Sequence, residues 1–238
     1  MSPAIAQARA ALAAVAEEAR GDQKVEAARA SAPGFVLGVL FHLERGETAP
    51  LARDRGEPAQ LARARYDEVV ATPRDWQHRP PRAQPGASLP LVGLAAASAG
   101  TGFVNVQQDE DGSVRRIPAI IEQGGRYYVP LALAVARRGS EGTEELGYVV
   151  GQTQLHFGER VLPVDERGVA TLSYLGGART FPHISALRVL EGSAPRAALA
   201  NKLVFVGYTD TARDALVTPF ARNLAGVEAH ATLAHNVL

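Results

Sequence analysis

The chain contains no cysteine among its 238 residues. That excludes disulfides and cysteine-ligated metals, but it does not choose a compartment, because cytoplasmic and periplasmic proteins alike can lack cysteine. Neither charge is in excess: 25 Lys and Arg balance 25 Asp and Glu. A nucleic-acid footprint needs clustered surplus Lys and Arg, so no nucleic acid is expected as a partner. No apolar run reaches the length of a membrane span, about 18 residues or more. The longest candidate, residues 89–99, is short and rich in Ala, Ser and Gly. The opening Met1-Ser2-Pro3 lacks the basic start and apolar core of a signal peptide. The G-x-S-x-G elbow, the phosphate-binding P-loop and G-x-G-x-x-G are all missing, so no catalytic residue and no cofactor are assigned.

What is present is ample material for a core. Hydrophobic residues make up 46% of the chain, enough for one large α/β domain or two small ones. Residues 4–20 are Ala-rich, with Ile5, Ala8, Leu12 and Val15 at helical spacing, and 24–30 continue the pattern more weakly. Residues 35–41 form a continuous apolar run, which predicts a strand buried on both faces. A loop over 44–60 and a helix over 59–70 follow. Residues 72–88 hold Pro73, Pro80, Pro81 and Pro85, and read as an irregular surface excursion. Residues 89–99 fit a short helix or a strand.

Turn signals then punctuate the chain. Strands are expected over 101–106, 114–121 and 126–129, separated by Asp109-Glu110-Asp111-Gly112 and Gly124-Gly125, which together make a β-meander. Pro130 suits a first helical turn, with a helix running to Arg138. A hairpin is expected over 153–164 around Gly158-Glu159, then a strand over 169–174 and a helix over 185–190. A buried strand starting at Leu199 or Lys202 leads into a polar loop, and a last helix begins near Gly226 with Val227, His230, Ala234 and Val237 on its inner face. The pattern predicts an α/β fold: a mixed β-sheet with helices on both faces, carrying the meander as an insertion, in a single domain over residues 1–238.

Several constellations invite chemistry and have plainer explanations beside it. Asp109-Glu110-Asp111-Gly112 suggests a calcium loop, but counting twelve positions from Gln107 reaches Pro118 where an acidic ligand is required. A hairpin turn explains the same residues. Arg115 and Arg116 point to opposite faces if they lie on a strand, one solvated and one set to meet an acid or an anion. Gly207 reads as a strand-to-loop glycine rather than as part of a nucleotide site. His230 and His235 are five apart, not the four of a helical zinc pair, so no metal site is assigned. His230 sits on an apolar face, where a core imidazole bonded to Asp210 or Asp214 is the ordinary arrangement. Asp210 and Asp214 are also a carboxylate pair that acid–base chemistry can use.

The end of the chain carries a resemblance. Asp109-Glu110-Asp111-Gly112-Ser113-Val114-Arg115-Arg116-Ile117-Pro118, then Tyr128-Val129-Pro130-Leu131-Ala132-Leu133-Ala134, then Phe181-Pro182-His183-Ile184-Ser185-Ala186 with Val189-Leu190-Glu191-Gly192, then Lys202-Leu203-Val204-Phe205-Val206-Gly207, Asp214 with Thr218-Pro219, and Gly226-Val227-Glu228-Ala229-His230-Ala231 follow one another in order. Together they resemble the second type of CHASE domain, the cyclases/histidine-kinases-associated sensory extracellular domain. The likeness runs from about residue 90 to the end. The family's usual opening, an acidic hydrophobic strand and a Trp-Pro-rich segment after a membrane helix, has no counterpart here.

The resemblance implies a non-enzymatic sensory module on the periplasmic side of the bacterial inner membrane. It would be tethered by transmembrane helices outside this chain and would control a nucleotide cyclase, a histidine kinase or a Ser/Thr kinase. It further implies a small-molecule ligand and, because such outputs act in pairs, a homodimer as a candidate assembly. The candidate site is the loop from Tyr208 through Asp210 and Asp214 to Thr218, with Glu228 and His230 from the last helix, and Arg115 is a further candidate. These residues either bind the ligand or lock the loop to the sheet. Two other functions stand beside the sensor: a docking domain that holds a periplasmic partner through the Pro-rich excursion, and a small-molecule hydrolase built on Asp210, Asp214 and His230.

Overall fold

The computed structural model describes residues 34–43, 57–71, 78–140, 144–209 and 214–238. The helices expected over 4–20 and 24–30, most of the 44–60 loop, and Asp210 lie outside these residues.

The chain builds a mixed α/β fold. Strand β1 (Val36–Leu43) lies between β3 (Ala83–Ser88), antiparallel to it, and β4 (Gly100–Phe103), parallel to it. A second mixed sheet has the order β10-β9-β8-β2. In it, β2 (Glu68–Val70) runs parallel to β8 (Leu146–Val149), while β9 (Gln154–Phe157) and β10 (Arg160–Pro163) continue antiparallel. Among the described residues, three two-stranded pieces complete the strands. β5 (Arg116–Pro118) pairs with β11 (Val169–Thr171), β6 (Ile121–Gln123) with β7 (Arg126–Tyr128), and β12 (Ala215–Leu216) with β13 (Leu224–Ala225). The helices are α1 (Ala59–Ala62), α2 (Val92–Ala97), α3 (Leu131–Gly139), α4 (Ala186–Leu190) and α5 (Gly226–Val237). Among the described residues, no helix is long and apolar enough to cross a membrane.

The turn chemistry works as expected. Gly124 and Gly125 both take positive φ between β6 and β7, and Gly158 does so between β9 and β10. Pro130 stands at the N-cap of α3 with φ −69°, already set for the first turn, and Arg137 and Arg138 face the negative end of the helix dipole in the last turn. Helix α3 is central. It packs against β1 and β4 on one side and against α5 on another. Its buried Ala132, Leu133 and Ala136 join Ile117, Ile120, Leu146, Leu155, Phe157 and the inner face of α5 in the main core. A second cluster gathers Val39, Phe41, Phe103 and Tyr128 on the β1–β4 sheet. Its rings meet edge-on and tilted, with Phe41 6.2 Å from Phe103 and 5.1 Å from Tyr128.

Local propensity misplaces several elements. Residues 59–70 are not one helix: α1 stops at Ala62, and 68–70 become β2, because β8 offers a parallel partner far along the chain. Tertiary pairing overrides a helical composition here. The 72–88 excursion is not irregular throughout. Its last six residues are β3, an edge strand, and the register slips between Phe41/Ala87 and Leu43/Ala83, with Gly86 at φ +97° inside the slip. An edge bulge is where a strand tolerates proline. Strand β1 is buried on one face rather than two: Val39 and Phe41 point inward, and Leu40 is exposed. Residues 114–121 are not one strand: β5 covers only 116–118 and turns aside to pair with β11, and β6 begins only at Ile121. The expected strand over 101–106 ends at Phe103, and that over 169–174 ends at Thr171.

The largest difference concerns residues 202–208. They form no strand, although their composition is that of a buried one. Among the described residues no strand lies beside them. Phe205 turns toward the main core, whereas Val206 and Tyr208 are 84% and 68% exposed. Gly207 lets the run approach α5: a Cβ there would stand 2.8 Å from Cβ of Val227.

Candidate functional site

The start of α5 organises the polar residues at the end of the chain. Strands β12 and β13 pair antiparallel, Leu216 opposite Leu224, and so return the chain to the helix. The Gly226 N–H donates to the Asp214 carbonyl at 3.1 Å. The Asp214 carboxylate lies directly over Gly226, where a Cβ would be 2.5 Å from Oδ1. Burial pushes the Asp214 carboxyl up from its ordinary value, and the Gly226 N–H partly opposes that shift. Thr218 closes the loop. Its hydroxyl donates to the Ala221 carbonyl at 3.1 Å and accepts from the Ala221 N–H at 3.0 Å.

Glu228, in the first turn of α5, is 4% exposed. Its carboxylate accepts the Arg179 N–H at 3.0 and 3.2 Å and lies 3.4 Å from Nε2 of His183. Arg179 holds φ at +63°, which is uncommon for a residue with a side chain. His230, one turn along with respect to Gly226, is buried. Its Nε2–H donates to the Val104 carbonyl at 3.2 Å, which leaves Nδ1 as the bare nitrogen, with no partner among the described residues. It does not bond Asp214, so the expected link between the helix imidazole and that carboxylate is absent. The structural reason is direction: His230 faces the Val104 carbonyl after β4, while the Asp214 carboxylate lies beside Gly226 at the helix start.

Burial lowers the His230 imidazole from 6.5 to about 4, against the opposing pull of the Val104 carbonyl. Between those values the unfolded chain binds a proton that the folded protein rejects. Stability therefore falls as pH drops through this window, and the loss is complete below about pH 4. Lowering the pH from 7 to 5 is expected to cost roughly 2 kcal/mol through this residue. Asp214 works in the opposite direction, from its ordinary carboxyl value upward. Urea titrations at both pH values check the expectation: His230→Gln, which keeps a donor for Val104, should lose less than half of the wild-type change. Identical pH slopes in both proteins would exclude His230 as the cause.

Arg115 stands apart from this cluster. Arg115 donates to Asp111 at 2.7 and 3.0 Å and to Asp109 at 2.9 Å, and Arg116 also reaches Asp109. The two arginines thus converge on one turn instead of facing opposite ways, because the strand begins only at Arg116. Arg115 first and the Ser113 N–H second hold the Asp111 carboxyl far below its ordinary range, while Arg116 and then Arg115 lower Asp109. The backbone beside Arg115 does touch the candidate loop, since the Val114 N–H donates to the Val217 carbonyl at 2.7 Å. Tyr208, at the start of the loop, is exposed.

The sequence reading missed the residues that hold α5 from outside. Arg179 and His183 grip its start, and at its end the Asn236 carboxamide exchanges two hydrogen bonds with the Ser173 backbone, at 2.9 and 3.0 Å. Buried Asn105 does the same for Phe41, at 3.0 and 2.8 Å. No periodicity announces such pairs. An Asn beside an apolar run is the one available signal.

No curated protein and no solved structure matches the chain. The family model of the CHASE2 domain matches residues 6–238, almost the whole sequence. That family consists of sensory extracellular domains, and the chain belongs to it.

Proposed function

We propose that the chain is the periplasmic sensory domain of a bacterial transmembrane receptor whose output is a nucleotide cyclase, a histidine kinase or a Ser/Thr kinase. The domain catalyses nothing itself. A small-molecule ligand favours one of two arrangements of the domain, and α5 carries the difference toward the membrane tether, with a homodimer as the working assembly. The observation that carries this reading is the family match over residues 6–238. The packing supports it: α5 contacts α3, the helix at the centre of the core, so a shift of α5 is felt throughout.

Within this reading, Asp214, Thr218, Glu228 and His230 are the lock of the loop rather than the ligand site. Support comes from their partners, which are backbone groups and His183 of the protein itself. Hydrolysis finds little support in the same geometry. His230 gives its proton to a backbone carbonyl and meets no described nucleophile. Docking through residues 73–88 needs a subtler test than deletion, because removing them also removes β3 from its sheet.

The test is topological. In the full-length receptor, alkaline phosphatase fused after Leu238 should be active and green fluorescent protein at the same place dark. The reverse pattern puts the domain in the cytoplasm and ends the proposal.

A further inference from the structure

Residues 173–183 run outside α5 with no helix or strand of their own. Two α5 side chains hold their backbone. Asn236 grips Ser173 near the end of the helix, and Glu228 grips Arg179 at its start. These two helix residues are separated by about 12 Å of helix rise, so the segment lies along the helix axis. Around the second grip the Thr180 hydroxyl donates to the Gly177 carbonyl at 2.6 Å, and between the grips Leu175 is exposed. Inward anchoring comes from Tyr174, whose hydroxyl donates to the Val114 carbonyl and whose ring meets Phe220.

We propose that residues 173–183 are a strap that opens as a unit before the domain unfolds, releasing the outer side of α5. Few apolar side chains secure it, which is the signature of a segment with low local stability. The start of the strap is also uncomfortable when closed. Glu228 keeps a carboxylate out of water with a backbone N–H and an imidazole as its partners, and a buried charge without a full counter-charge favours the state that re-exposes it. The left-handed Arg179 adds backbone strain to that closed state. Opening relieves both. Its consequence for signalling rests on the sensory reading, but the opening itself does not. A cytoplasmic result in the fusion experiment would leave the strap standing.

Arg179 reports on the strap directly. Trypsin needs an extended backbone at the bond it cuts, and the left-handed, latched Arg179 cannot supply one while the strap is closed. Cleavage after Arg179 therefore follows the open population when closing outpaces cutting. Arg137 in α3 serves as the reference for global unfolding. With cleavage sites resolved by mass spectrometry, Asn236→Ala should speed cleavage after Arg179 about tenfold, Glu228→Gln, which keeps an acceptor for the Arg179 N–H and removes the buried charge, should slow it, and both should leave Arg137 unchanged. Hydrogen exchange on the unaltered protein gives a second reading that needs no variant: the Ser173 and Arg179 amides should exchange at least about tenfold faster than those of Ala134 and Ala136. Equal exchange rates, or cleavage at Arg179 and Arg137 rising together or not at all in Asn236→Ala, would overturn the strap.

Discussion

Replacing Gly102 with alanine is expected to destabilise the protein by about 3 kcal/mol, equivalent to roughly 10 °C in melting temperature. Gly102 lies in β4, fully buried, where the chain enters α3 across the strand. A Cβ at this position would stand 2.7 Å from both N and Cα of Leu131 and 2.9 Å from the Pro130 carbonyl carbon. These are backbone atoms, so no rotamer change makes room. Either β4 moves away from β1, losing the parallel pairing of Gly38 with Gly102 and Val39 with Phe103, or the start of α3 moves away from the core. Both alternatives damage the helix against which β1, β4 and α5 pack. Gly147→Ala is the matched control. It also lies in a strand, but nothing stands within 4 Å of the added methyl group, so its melting temperature should stay close to that of the wild type. Equal melting temperatures for the two variants would mean that the close approach of strand and helix does not constrain the fold.

Asn105→Ala should cost a similar amount, about 3 kcal/mol, for the opposite reason. Nothing is overcrowded; two buried backbone groups lose their partners. The β1–β4 ladder ends with Val39 opposite Phe103 and the Val104 N–H donating to the Val39 carbonyl. One step further, the Asn105 side chain replaces the departing backbone, accepting from the Phe41 N–H and donating to its carbonyl. Phe41 is 2% exposed, so water cannot take over without opening the aromatic cluster with Phe103 and Tyr128. Chemical denaturation measures the loss, and exchange of the Phe41 amide localises it. Asn105→Asp should be no better, since it keeps an acceptor, removes the donor and buries a charge. If Phe41 exchanged no faster in the alanine variant, the carboxamide would be dispensable to the ladder.

These two sites show which features a sequence hides. The need for glycine at Gly102 comes from a crossing of strand and helix in three dimensions, and Asn105 matters through a residue 64 positions away. Neither leaves a periodic trace. The legible elements are those whose cause is local. Gly158 bends its hairpin through its own φ, Gly124-Gly125 bend another, and Pro130 starts α3 through its fixed ring. The last helix also starts where its pattern places it, at Gly226.

The illegible elements depend on partners. Residues 68–70 look helical beside Leu61 and Ala64, yet β8 draws them into a sheet. Residues 202–208 look like a central strand, yet no described strand stands beside them. A helix satisfies its own backbone hydrogen bonds, so a stretch of sequence can specify one. A strand satisfies them on a neighbour, which a one-dimensional pattern cannot choose. By itself, therefore, the sequence determined the α/β class, the tight turns, the main helices and the likeness to a sensory domain. Only the tertiary structure decided which strands pair, that His230 meets Val104 rather than Asp214, and that Glu228 and Asn236 hold a strap along the final helix. Those contacts join residues far apart in the chain, and their free energy exists only after the chain has folded.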